Sequence, residues 1–128
     1  MNVTVMLVDD SKLARIVAGK TVAALQPEWH RVEASNADEA LELIGKQRVD
    51  VAILDFNMPG RDGLELAAEL RQLRPQMPIA IITANIQEEV IARARAVNAA
   101  FVSKPVTEEG LAGFLSGAAL RLKQAAHG

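Results

Sequence analysis

The chain has 128 residues, 50% hydrophobic and 23% charged, which suits one domain with a buried core and excludes a two-domain enzyme and a disordered chain. Fourteen Lys and Arg against sixteen Asp and Glu leave a net charge of -2, too little positive surface for direct nucleic-acid binding. Cysteine is absent, so disulfides, thiolate metal sites and thiol nucleophiles are excluded, in keeping with a reducing compartment.

Val3 to Val8 is a short apolar run closed by Asp9-Asp10 and reads as a strand. A longer segment with Leu13, Ile16, Val17 and Leu25 reads as a helix that Pro27 stops. Arg31 to Ser35 alternates polar with apolar residues, as a half-exposed edge strand does. Asn36 followed by Glu39 has capping-box spacing, ahead of a helix with Ala40, Leu41 and Ile44 on one stripe. Val51 to Leu54 is wholly apolar, the mark of a parallel strand covered on both faces, and it ends at Asp55. Asp62 and Glu65 repeat the cap spacing and start a helix whose Leu66, Leu70 and Leu73 share a face until Pro75.

Ile79 to Ile82 is the next buried strand, ending at Thr83. Ile86, Val90, Ala94 and Val97 form a fourth helical stripe, with Asn98 where a left-handed residue closes a helix. Ala99 to Val102 is a short last strand. Beyond Lys104-Pro105, Thr107 caps a fifth helix that turns Leu111, Phe114, Leu115, Ala118 and Leu122 inward. Residues 1–128 are expected to form a single domain with its core at about 3–123 and a C-terminal tail at 124–128 that frays. No uncharged run approaches the ~18 apolar residues of a membrane span and no basic leader precedes the first strand, so a cytoplasmic location without membrane contact is expected.

Strand-helix alternation with short loops demands a parallel α/β sheet, because right-handed crossovers return the chain to the same edge. Asp9-Asp10, Asp55, Thr83 and Lys104 each stand at or just past the carboxyl end of a strand, the edge at which such sheets bind ligands. Carboxylates gathered there repel, and a hard dication with oxygen ligands offsets the repulsion. Mg²⁺ fits, with Mn²⁺ as an alternative, and the three carboxylates then balance the metal together with one Lys. With that charge masked, an oxygen of Asp55 can attack phosphorus in line while Lys104 and the Thr83 hydroxyl hold phosphoryl oxygens. The expected product is an aspartyl phosphate.

Four stretches carry a family resemblance: Val8-Asp9-Asp10-Ser11, Leu54-Asp55-Phe56-Asn57-Met58-Pro59-Gly60-Arg61-Asp62-Gly63, Ile82-Thr83-Ala84 and Phe101-Val102-Ser103-Lys104-Pro105. Together, in this order and over essentially the whole chain, they resemble the receiver domain of two-component response regulators. The resemblance implies a flavodoxin-like, doubly wound five-stranded parallel sheet in order 2-1-3-4-5 with five helices. It implies that Asp55 takes a phosphoryl group from a histidine kinase or phosphotransfer protein. Asp9, Asp10, Asp55 and the backbone carbonyl of Asn57 would bind Mg²⁺. Thr83 and Lys104 would contact the phosphoryl group, and the Lys104-Pro105 bond would be cis.

Phe101 matches the aromatic switch position, and Asn57 and Asn85 match positions that tune dephosphorylation. A kinase would dock near Lys12 to Ile16, and a downstream protein target would read roughly Ile86 to Leu122, the fourth helix, fifth strand and fifth helix. The protein is then expected to be a stand-alone phosphoacceptor switch rather than a turnover enzyme, a monomer or a phosphorylation-dependent dimer. A phosphorelay shuttle or a phosphate sink is open on the same residues.

Simpler readings exist for each residue. Asp9-Asp10 could cap the first helix, Asp55 could end a strand before a turn, Thr83 could begin the fourth helix, and Lys104 could be a solvated side chain. Phe101 packs at an edge in either reading. A haloacid-dehalogenase-type phosphatase also pairs an Asp nucleophile with Mg²⁺, but it places that Asp after an early strand and adds a cap insertion. A flavodoxin-like carrier would need a hydroxyl- and amide-rich phosphate loop where Asp9-Asp10 stands. His30 and His127 are weakly placed as phosphohistidines or metal ligands, and Trp29 is expected to cover the end of the first helix.

Overall fold

The computed structural model describes residues 2–84 and 86–127, with backbone alone at 126 and 127. Along the chain, β1 (Thr4–Val8), α1 (Lys12–Leu25), β2 (His30–Ala34), α2 (Ala37–Lys46), β3 (Val51–Asp55), α3 (Gly63–Leu73), β4 (Ile79–Thr83), α4 (Glu88–Ala96), β5 (Ala100–Ser103) and α5 (Glu108–His127) alternate. The strands form one parallel sheet in the order β2-β1-β3-β4-β5. This is the doubly wound arrangement expected from the sequence.

Period-two alternation sends side chains to two separate cores. Met6, Val8, Ala52, Leu54, Ile79 and Ile81 pack with Ala40 and Ile44 of α2, Leu66 and Leu70 of α3 and Val90 and Ala94 of α4. Val5, Leu7, Val51, Ile53, Ala80 and Ile82 pack with Val22 of α1 and Leu111, Leu115 and Ala118 of α5. All five residues of β3 and of β4 are buried, as their unbroken apolar runs require. Trp29 joins the α1–α5 core, and His30 opens β2 on its exposed edge.

The caps follow the sequence closely. Asp62 accepts from the Glu65 N–H at 2.8 Å while Glu65 accepts from the Asp62 N–H at 3.0 Å, a complete capping box. At α2 only half of that box forms: Asn36 Oδ1 accepts from the Glu39 N–H at 2.9 Å, but the Glu39 carboxylate turns to the N–H and hydroxyl of Ser35. Thr107 Oγ1 accepts from the Gly110 N–H at 2.9 Å, and Asn98 is left-handed at φ 56°.

Three expectations shift. Ile86 precedes α4 instead of lying on its stripe and is 69% exposed, because the helix begins only at Glu88, where two glutamates favour the positive end of the dipole. Leu73, the last residue of α3, is exposed while Leu66 and Leu70 are buried. α5 continues to His127 through the stretch expected as a tail. Asn85 and the side chain of His127 lie outside the described residues. No helix among the described residues is long and apolar enough to cross a membrane.

At the pole opposite the strands' carboxyl ends, Arg71 fastens three segments together. Its guanidinium donates to the carbonyls of Pro75 at 3.0 Å and Met77 at 2.7 Å, and to those of Val97 at 3.0 Å and Asn98 at 3.1 Å just past α4.

Candidate functional site

β1 delivers Asp9 to the sheet edge, where its N–H donates to the Ala34 carbonyl at the end of β2, 3.1 Å away. Its Oδ1 accepts from the Ser11 N–H at 2.9 Å, while Ser11 itself caps α1 by accepting from the Ala14 N–H at 3.2 Å. The helix cap is therefore Ser11, and the two aspartates before it are not spent on that role. Asp55 ends β3 and is 4% exposed; Thr83 ends β4 and is fully buried rather than starting α4. The Lys104 N–H donates to the Thr83 carbonyl at 3.0 Å, which carries the lysine around the end of β5, and the Lys104-Pro105 peptide is cis.

The residues converge as the topology requires. One carboxylate oxygen from each of Asp9, Asp10 and Asp55 lies within 4.8 Å of the others. Lys104 Nζ is 2.8 Å from Asp55 Oδ1, an oxygen with no further hydrogen-bond partner among the described residues. Burial pushes the Asp55 carboxyl up from its ordinary range, and the Lys104 ammonium pulls it partly back. Asp9 is also raised, chiefly by burial and further by the charge of Asp55, although the Ser11 N–H opposes this. Lys104 is raised in turn by its contact with Asp55.

The cluster therefore holds more negative charge than one ammonium can offset, and all its donor atoms are carboxylate oxygens. That donor set fits a small hard dication such as Mg²⁺. Asn57 lies two residues past Asp55 on the exposed stretch leading to α3. Phe101, in β5, is half-buried and packs against the core beneath α4. A cleft of about 280 Å³ opens beside the cluster between α1 and the segment after β5, lined by Asp9, Leu13, Val17, Ile82, Lys104 and Val106.

Three neighbours escaped the sequence reading. Gly63, the first residue of α3, approaches the backbone of Asp55 so closely that a Cβ there would stand 2.3 Å from the Asp55 carbonyl oxygen. A glycine at the start of a helix, where it is a poor former, was the one available signal. Arg15 donates from Nη1 to the Asp9 carbonyl at 2.6 Å. Arg93 of α4 reaches Asp62 at 3.3 Å and lies 5.9 Å from the centre of the Phe56 ring. Neither arginine could be found by periodicity, since each contact joins separate elements.

A family model described as "Response regulator receiver domain" matches residues 5–115. The positive alginate biosynthesis regulatory protein of Pseudomonas aeruginosa is 39% identical over 112 residues, covering 84% of this chain and 44% of that protein. The cyclic di-GMP phosphodiesterase response regulator RpfG of Xanthomonas campestris is 32% identical over 109 residues, covering 83% of this chain and 29% of that protein. The chain thus spans less than half the length of these curated relatives. Among solved structures, the chemotaxis protein CheY4 of Vibrio cholerae superposes with a TM-score of 0.83 at 29% identity, over 92% of this chain and 99% of that one.

Proposed function

We propose, since the chain belongs to the response regulator receiver domain family, that it is a phosphorylation-driven switch with Asp55 as the phosphoacceptor. One observation carries the reading: Asp9, Asp10 and Asp55 face one another across less than 4.8 Å with the Lys104 ammonium at 2.8 Å from Asp55. The donor is a phosphohistidine of a kinase or phosphotransfer protein. As the new O–P bond to Asp55 forms, the P–N bond breaks, and the imidazole leaves with the electron pair and takes up a proton.

Asp9, Asp10, Asp55 and the Asn57 carbonyl would hold Mg²⁺, which supplies charge neutralisation of the entering phosphoryl oxygens. The chain's own residues do the rest. Lys104 keeps the buried Asp55 ionised in spite of its raised pKa, and afterwards its ammonium is free to follow a phosphoryl oxygen. Thr83, buried at the adjacent strand end, offers its hydroxyl to another. The β3 backbone, hydrogen-bonded on both edges, fixes the nucleophile for in-line attack.

Phosphorylation would bias two arrangements of Thr83, Phe101 and the segment entering α4, and a protein partner selective for one of them would read the α4–β5–α5 face. The cleft beside α1, lined by exposed Leu13 and Val17, with exposed Ile16 elsewhere on the same helix, suits a kinase or phosphotransfer helix laid against apolar side chains.

The test is intact-mass spectrometry after incubation with acetyl phosphate and Mg²⁺. One phosphoryl adduct is expected on the native chain, none on Asp55→Asn, and none after chelation of the metal. An adduct that persists in Asp55→Asn at the native rate refutes the assignment.

A further inference from the structure

We propose that Arg15 is a positioning residue for the metal site, holding the Asp9-Asp10 turn in its ligating geometry through the main chain; this rests on reading the cluster as a Mg²⁺ site. Arg15 lies on α1, four residues past the Ser11 cap, and its side chain is only 15% exposed. Nη1 donates to the Asp9 carbonyl at 2.6 Å and Nε donates to Glu33 Oε1 on β2 at 2.8 Å. One guanidinium therefore links α1, the end of β1 and the edge strand.

The bond to Asp9 falls where it controls direction. The Asp9 carbonyl belongs to the planar peptide joining Asp9 to Asp10, so fixing that oxygen fixes the plane from which Asp10 departs. The other side of Asp9 is held as well: its N–H donates to Ala34 at 3.1 Å and its carboxylate accepts from Ser11 at 2.9 Å. With the carbonyl released, the peptide before Asp10 can rotate while Asp9 stays in place. The spacing of the two carboxylates would then drift from the close approach seen here.

Arginine suits the task because its planar fork serves a carbonyl and a carboxylate at fixed angles, whereas a lysine ammonium is a compact point charge on a flexible stem. Glu33 aims the fork from outside and its side chain is 49% exposed, so in Glu33→Gln the amide oxygen can take over from the carboxylate as acceptor. Arg15 acts through Asp9 and is not itself a ligand.

Calorimetric titration of Mg²⁺ into the native chain, Arg15→Met, Arg15→Lys and Glu33→Gln tests this, with phosphorylation by acetyl phosphate followed across Mg²⁺ concentrations. Partners that orient a ligand typically change affinity by about 10–100-fold. Arg15→Met is expected near the lower figure, Arg15→Lys between it and native, and Glu33→Gln close to native. At saturating Mg²⁺ the phosphorylation rate of Arg15→Met returns towards native under conditions where the metal-free variant is already fully folded, so that stabilisation by the bound ion cannot account for the recovery. An unchanged Mg²⁺ affinity in folded Arg15→Met overturns the proposal. If that variant fails to fold, an unchanged affinity in Arg15→Lys together with Glu33→Ala overturns it. A native chain that binds no Mg²⁺ removes the underlying reading, whereas native binding with unaffected variants removes this inference alone.

Discussion

Gly63→Ala puts one methyl group against the phosphoacceptor's own backbone. The added carbon would stand 2.3 Å from the Asp55 carbonyl oxygen, 2.9 Å from its carbonyl carbon and 3.1 Å from the Phe56 Cα. An ordinary close carbon-oxygen approach is about 3.3 Å, so the chains must separate by ~1 Å at this point. A flexible side chain cannot absorb the overlap, because the three nearest atoms are all main chain. Either the start of α3 lifts, lengthening the 2.9 Å bond from the Gly63 N–H to the Phe56 carbonyl, or the end of β3 is displaced.

Overpacking of this kind costs about 1–3 kcal/mol, and a weakened hydrogen bond adds ~1 kcal/mol. The better helix propensity of alanine returns up to ~1 kcal/mol, leaving a net loss of roughly 1–4 kcal/mol. A shift of ~1 Å in a reacting group lowers its rate by about 100-fold. Urea denaturation of Gly63→Ala is to be compared with Gly113→Ala and Gly117→Ala, where an added Cβ meets nothing within 4 Å. Those two are expected to gain ~0.4–1 kcal/mol. A Gly63→Ala protein as stable as those controls, or phosphorylated at the native rate, refutes the steric account.

Asp10→Ala removes one repelling carboxylate without removing the α1 cap, so the metal-free protein is expected to gain up to ~1 kcal/mol while Mg²⁺ binds more weakly. Thermal melts with and without Mg²⁺ check both halves, and a large loss of metal-free stability would restore the capping role to Asp10. The Glu39 carboxyl sits below its ordinary value of 4.5, first because the Ser35 hydroxyl donates to it. A depressed pKa gives stability that is complete above the ordinary value and lost as pH falls through the folded one. The melting-temperature gap between the native chain and Glu39→Gln is therefore expected to be constant near neutrality and to narrow below 4.5; a gap independent of pH contradicts it. Arg71→Met strands the carbonyls of Pro75, Met77, Val97 and Asn98, which at ~1 kcal/mol each, reduced by solvent access, predicts a loss of about 2–3 kcal/mol. Urea midpoints measure it, and phosphorylation in the folded variant is expected to stay native.

The parallel sheet and its carboxyl-end cluster were legible because strands alternate with helices and β3 and β4 are unbroken apolar runs that must be covered on both faces, whereas the strand order came only with the family resemblance. The Asp62–Glu65 box and left-handed Asn98 were legible because caps are local, written within a few residues. What periodicity cannot weigh is where burial along a helix face begins and ends. Leu73 keeps the spacing of Leu66 and Leu70 yet is exposed at the last residue of α3, and Ile86 keeps the spacing of Val90 before the helix has begun. Contacts between elements were invisible for a different reason. Nothing near Arg15 in the sequence marks the Asp9 carbonyl as its acceptor, and nothing near Gly63 shows how closely the Asp55 backbone passes.

Arg71 moors the residues just beyond α4 at the pole away from the acidic cluster. The other end of that helix, at Glu88, lies on the side of the acidic cluster. A rod fastened at its distal tip answers a push at its proximal tip by tilting instead of gliding. A partner bound over the middle of α4 would therefore sense a change of angle, with the displacement growing steadily towards the aspartates.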